Sequence, residues 1–296
     1  MFEYNELEEM LKNASLNFNT RPVEKFENYS PSEMSIIINH SFENDGLINF
    51  RNDIIEEHFQ NIGFLNCIKY FLNIINNNGE IKLTSIGNLP PKYVKELYDQ
   101  HFILENAIEF GVTKLVKETD SVVVHLTKVI SFVSKLVKTR NNNISLTKLG
   151  KNLLDNDFEL MKCIFTNFYQ SYNLAYMDGF PEFDLSQVFR FFLLLLEKYG
   201  DKERDLSFYY DKMITAFPAL HVPGDLDEYI DHASEDFNRE CKNSFRVRLV
   251  ERFLVYFNFV EFNEKKSTIK KSVLFDEVFL ILPNSSIFKE HSEIIV

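Results

Sequence analysis

Apolar residues recur along most of this chain at intervals of three and four, the period of a helix with one buried face. The stripe is plainest in Phe64, Leu65, Ile68, Phe71, Leu72 and Ile75, and again in Val122, Leu126, Val129, Ile130 and Val133. It returns in Phe158, Met161, Phe165, Phe168 and Tyr172, in Phe189, Phe192, Leu193 and Leu196, and in Val247, Val250, Leu254 and Phe257. Strand patterns are short and adjoin tight turns. Ile81-Lys82-Leu83 follows Asn76-Asn77-Asn78-Gly79, while residues 136–140 and 144–147 flank Asn141-Asn142-Asn143. Asn tolerates the left-handed backbone that such a hairpin turn needs. Residues 259–262 and 268–270 form a second hairpin pattern. Ser30-Pro31-Ser32-Glu33 has the cap, proline and glutamate of a helix start, and Ser186 and Ser207 are the expected caps of two later helices.

One stretch is repeated. Asn143-Ile144-Ser145-Leu146-Thr147-Lys148-Leu149-Gly150-Lys151 matches Glu80-Ile81-Lys82-Leu83-Thr84-Ser85-Ile86-Gly87-Asn88, 63 positions earlier. Each copy has an alternating strand, a Thr able to cap a helix, an apolar residue and a Gly. Helix, tight turn, strand, helix is the outline of a winged helix. A third, degenerate pattern starts at Ser244, with Ser272 in place of Thr and no Gly. The predicted fold is mainly α with small β-hairpins: two or three winged-helix-like modules around a central helical bundle. The expected segments are an acidic helical region at 1–60, modules at 61–104 and 105–155, the bundle at 156–243 and a last module at 244–296. The low content of Gly (9) and Pro (8) agrees with a helix-rich chain.

Charge adds a location to this picture. The chain carries a net charge of -12, which opposes nucleic-acid binding as a bulk property. The distribution is uneven. Residues 112–151 are net +6 and residues 245–271 net +4, whereas 1–60 are net -8 and 155–244 net -10. The basic islands coincide with two of the modules. In the first, His125, Lys128, Phe132 and Lys135 share a helix face, Lys138 and Arg140 sit on the hairpin, and Lys148 and Lys151 on the closing helix. Helix face and wing are the parts of a winged helix that meet duplex DNA. Lysines also coat any exposed helix, and an exposed Phe132 points instead to burial against another module or a partner. Arg246, Arg248 and Arg252 form a second basic surface, read first as facing the acidic segment 225–240 and second as a DNA contact.

Catalytic motifs are missing: there is no phosphate-cradling glycine loop, zinc-protease helix or nucleophile elbow. His221, Asp225, Asp227, Asp231, His232 and Glu235 form the one metal-like cluster, read first as a solvated acidic helix and as a divalent-cation site only second. Cys67, Cys163 and Cys241 are isolated and odd in number, which suits a reducing cytosol. No apolar run approaches the roughly 20 residues of a membrane span. Ser30-Pro31-Ser32-Glu33-Met34, the segment from Glu80 to Leu97, and Tyr176-Met177-Asp178-Gly179-Phe180-Pro181 together resemble a family of uncharacterised bacterial proteins, some fused to a plasmid-encoded ORF-three-like domain. The resemblance spans about 29–280 and implies no activity. The expectation is a cytoplasmic, non-enzymatic protein without cofactor that binds duplex DNA or regulates. The alternative is an adaptor whose winged helices dock on each other, on a protein partner or on a second copy, with a metal-dependent enzyme as a distant third.

Overall fold

The computed structural model describes residues 4–42, 46–176, 178–180, 185–186, 188–221 and 230–284, with backbone only at 4–7, 219, 221 and 230–236. The N-terminal part holds α1 (Tyr4–Thr20), α2 (Pro31–His40), β1 (Ile48–Phe50) and α3 (Glu56–Phe59). The capping box at α2 forms as its sequence predicts: Ser30 Oγ accepts from Glu33 N, and the Glu33 carboxylate accepts from Ser30 N at 2.7 Å.

Next come α4 (Gly63–Asn78), β2 (Ile81–Lys82), α5 (Pro91–Tyr98), the short α6 (Asn106–Glu109), α7 (Val122–Val133), the hairpin β3 (Val137–Arg140) and β4 (Asn143–Leu146), and α8 (Lys148–Leu153). The hairpin turn is made by Asn141 and Asn142, both at positive φ. β2 lies antiparallel to β4, with Ile81 opposite Ile144, so the sheet order is β2-β4-β3. The two sequence copies 63 positions apart are therefore neighbouring strands of one sheet. Segments 61–104 and 105–155 close a single unit, because β2 has its strand partner among the described residues only in β4.

α9 (Asp157–Gln170) leads into a second unit: α10 (Phe189–Tyr199), β5 (Arg204–Asp205), α11 (Leu206–Ala216), α12 (Ile230–Phe245) continuing as a π-helix (Arg246–Leu254), β6 (Val260–Asn263), β7 (Thr268–Lys271) and α13 (Val273–Val278). Its sheet order is β5-β7-β6, the same pattern. This unit takes its first two helices from what the sequence assigns to a central bundle. Val188 stands at the N-cap of α10 rather than Ser186, and Asp205 caps α11 by accepting from Ser207 N at 2.8 Å.

The structural repeat has a shift of 123 residues, which carries β2 onto β5 (81 to 204) and β3 onto β6 (137 to 260). It holds in detail at the hinge between helix and hairpin. Lys135 and Asn258 are both left-handed, with φ 59 and 58, and the buried Leu136 and Phe259 follow them. Thr147 Oγ1 donates to Lys135 O at 2.7 Å and accepts from Gly150 N, just as Ser272 Oγ donates to Asn258 O at 2.7 Å and accepts from Phe275 N.

The units meet on α9. Phe165 and Phe168 pack on Phe253 with centroids 5.0 and 4.7 Å away, and Phe64 N donates to Tyr256 O at 2.8 Å across the junction. β8 (Phe279–Ile281) then pairs with β1, placing Ile48 opposite Ile281 and tying the N-terminal part to the end of the second unit. Mainly α with small antiparallel hairpins is the observed class. No helix among the described residues is long and apolar enough to cross a membrane.

Candidate nucleic-acid interface

The expected contact helix, α7, is closed in. Its buried set is Val123, Val124, Leu126, Thr127, Lys128, Ile130 and Ser131, whereas Val122, expected inside, is exposed. α4 and α9 pack on it from two sides and the 118–120 turn from a third. Polar positions are tolerated inside because they satisfy themselves: Thr127 Oγ1 donates to Val123 O at 2.8 Å and Ser131 Oγ to Thr127 O at 2.7 Å. Its N-terminus is taken by Glu105, whose carboxylate accepts from Val122 N at 2.8 Å and from Ser121 Oγ.

Two predicted contact residues are consumed by this packing. Lys128 Nζ donates to Glu118 Oε2 at 2.7 Å and to Gly87 O at 2.9 Å, and His125 Nδ1 donates to Glu118 Oε1 at 2.8 Å. Glu118 is wholly buried and also accepts from Leu89 N at 2.6 Å. Burial alone would raise its carboxyl, but the bonds from His125, Lys128 and Leu89 outweigh that and hold it below the usual range. This cluster staples the 84–90 loop to α7 and removes Lys128 from the surface. Phe132 is half-buried against the core, the outcome that its apolar character favours.

The remaining predicted residues, Lys135, Lys138, Arg140, Lys148 and Lys151, are all exposed. Alternation along the strands buries Ile81, Val137, Ile144 and Leu146 and turns Lys138 and Arg140 to the outer sheet face. Lys82 joins them there. It lies opposite Asn143, which in turn lies opposite Arg140, so a row crosses all three strands. Sequence reading missed Lys82 because it placed β2 in a separate module. Lys148 and Lys151, three apart on α8, extend the basic surface past the hairpin.

The second basic surface does not hold together. Arg248 is fully buried, with Nε 2.5 Å from Asp178 Oδ2 and Nη2 3.2 Å from Oδ1. Asp178, in the 178–180 turn, is one of its partners. Arg246 lies 3.6 Å from Glu251, and Arg252 lines a cleft beside Tyr172 and Tyr176. The expectation of three outward arginines fails because the segment is a π-helix, whose turn exceeds the 3.6 residues on which the face was assigned. The cluster His221, Asp225, Asp227, Asp231, His232 and Glu235 lies outside the residues whose side chains are described, and no group able to hold a metal occurs among those that are.

Residues 63–159 match the Y4jL N-terminal domain, an uncharacterised family, over about a third of the chain. The match begins at the first residue of α4 and ends in the first turn of α9, so it encloses the whole first unit. Ser30–Met34 and Tyr176–Pro181, which carry part of the wider resemblance, fall outside it. No curated protein and no solved structure matches the chain.

Proposed function

We propose that this chain is a non-enzymatic protein of two winged-helix units, the first of which binds the phosphate backbone of nucleic acid. The contact surface is the outer face of its hairpin sheet together with α8: Lys82, Lys135, Lys138, Arg140, Lys148 and Lys151. The order helix, strand, helices, hairpin, with the short α6 extra in the first unit, and the strand order first-third-second support the winged-helix reading of both units.

The observation that carries the proposal is a difference between two copies of one backbone. At the positions matching the six cations, the second unit has Asp205, Asn258, Glu261, Asn263, Val273 and Asp276. The last two are offset by 125, since the second hairpin turn is two residues longer. A compositional abundance of lysine would coat both copies alike. Instead every basic position of one is neutral or acidic in the other. With α7 enclosed, base reading in the major groove by that helix is not part of the proposal, so the expected binding is insensitive to sequence.

The test is fluorescence anisotropy of a mixed-sequence duplex over a salt series, with the native chain and a Lys82→Glu, Lys138→Glu, Arg140→Glu variant. Native affinity should fall as salt rises, with a log–log slope of about 0.9 per phosphate contact. The variant should lose at least about tenfold in affinity at low salt while keeping its circular dichroism. Absence of salt-dependent binding at low ionic strength would sink the proposal. It would favour the second reading, a protein-docking module, for which Phe110 and Val112, 80% and 81% exposed, are the motivating observation.

A further inference from the structure

Large apolar side chains left on the surface concentrate in two segments. One is α1. All of residues 8–18 are exposed, while Asn19 and Thr20 are half-buried and α2 packs against the helix. Met10, Leu11, Ala14 and Phe18 lie within about 100° of one another around the helix axis. They form an apolar stripe on which Met10, Leu11 and Phe18 are 58%, 63% and 70% exposed. A helix in water draws most of its stability from packing such a stripe, so α1 lacks its cover.

The other segment runs over residues 104–116 of the first unit. Thr113 N donates to Ala107 O at 2.7 Å and Gly111 turns at φ 72, which folds the chain back along α6. Ile108 and Leu115 pack inward on the core. Leu104, Phe110, Val112 and Val116 are left outside, a cluster that marks a contact site.

Charge selects what meets this strip. Its four acids are engaged: Glu105 on the N-terminus of α7, Glu109 on the Tyr98 hydroxyl, Glu118 on Lys128, and Asp120 on Val116 N and Lys117 N. Its two cations, Lys114 and Lys117, are exposed and form no ion pair among the described residues. α1 is the reverse, with three Glu and one Lys. Its Glu8 and Glu9 are exposed and likewise form no ion pair among the described residues. An apolar strip with unpaired cations thus matches an apolar stripe with unpaired carboxylates, whereas two α1 helices would set acid against acid. Within one chain the two surfaces stay apart, since both are exposed.

We propose that two copies of this chain exchange α1 across a two-fold axis, each helix lying on the 104–116 strip of the other copy. A helix of 17 residues is about 25 Å long and about 10 Å wide, so one docked helix covers about 250 Å² on each side. Exchange doubles the contact to about 1,000 Å² in all, the lower end of specific interfaces, which a single contact does not reach. The dimer uses none of the six cations of the proposed phosphate contact and is tested apart from it.

The experiment is sedimentation velocity of the full chain from about 1 to 200 μM, at low and high salt. The native chain should dimerise with a Kd of about 1–100 μM, the strength suited to that area, and more weakly as salt rises. Met10→Ser with Phe18→Ser, and separately Phe110→Ser with Val112→Ser, change only exposed side chains and leave the fold in place. Each pair should weaken association at least about tenfold. Glu8→Lys with Glu9→Lys should weaken it too, and adding Lys114→Glu with Lys117→Glu should restore it. A chain monomeric throughout, a dimer indifferent to the strip variant, or charge reversals that do not compensate would each overturn the proposal. So would protection of the α1 amides from hydrogen exchange that does not change with concentration, the sign of docking within one chain.

Discussion

Lys128 occupies the position from which a winged helix would reach a phosphate or a base, and its ammonium is spent on Glu118 and Gly87. Only the three-dimensional arrangement distinguishes these fates, because Glu118 is ten residues away and enters from a turn. Breaking the pair leaves a buried carboxylate without its cation, a change of about 3–5 kcal/mol for a fully buried pair. Lys128→Met should accordingly lower the urea-unfolding free energy by roughly that amount, whereas Lys138→Met on the exposed strand should stay within about 0.5 kcal/mol. Equal effects at the two positions would contradict the burial assigned to Lys128. Arg248 and Asp178 offer a second case, with both side chains fully inaccessible. Asp178→Leu alone strands the guanidinium and should cost about 3–5 kcal/mol, and combining it with Arg248→Met should recover most of the loss. Non-additivity in a double-mutant denaturation cycle is the check.

Short elements misled the sequence reading where one residue type served two purposes. Gly87 and Gly150 occupy the same place in the 63-residue repeat, yet Gly87 is there for its left-handed backbone, φ 81, in open space. Gly150 is there for proximity: a Cβ would fall 2.1 Å from Leu136 O, at the hinge where α8 docks. Gly87→Ala should cost about 1–2 kcal/mol as backbone strain. Gly150→Ala should cost more and displace α8, visible as a larger fall in melting temperature and as lost amide protection at Lys151. Helix positions, the capping box, the Asn turn and the hairpins were legible, since each rests on local spacing. The 123-residue repeat was not. Its markers are a left-handed hinge residue, Lys135 or Asn258, and a hydroxyl cap, Thr147 or Ser272, which fix geometry with little constraint on the residues between. The π-helix was equally hidden, because 3.6-residue periodicity assigns its faces wrongly by construction. Of the proposed interface, the exposed hairpin and α8 cations were readable from charge and alternation. Lys82 and the closure of α7 depended on which strand paired with which.

Across the whole molecule, buried carboxylates act as junctions between distant segments. Glu27, left-handed at φ 59, binds Lys198 at 2.7 Å and Lys212 at 2.5 Å, and accepts from Tyr199, which ties the N-terminal part to α10 and α11. Burial pushes its carboxyl up, but the Lys198, Lys212 and Tyr199 bonds win and hold it low. Glu118 behaves alike within the first unit. A carboxyl lower in the folded than in the unfolded chain contributes stability that is complete above the unfolded value, near about 4.3, and vanishes as pH falls through the folded one. Melting temperature should therefore drop below about pH 4.3, and Glu27→Gln should flatten that acid limb; an unchanged limb would count against the Glu27 junction. The β1–β8 ladder sets a different clock. Since Ile48 has its backbone partner at Ile281, a ribosome making the chain from its N-terminus releases β1 long before β8 exists. The first unit, whose strands all lie between Ile81 and Leu146, can close while synthesis continues. The N-terminal segment must wait, its strand edge open to any passing chain, until the last strand emerges and seals it.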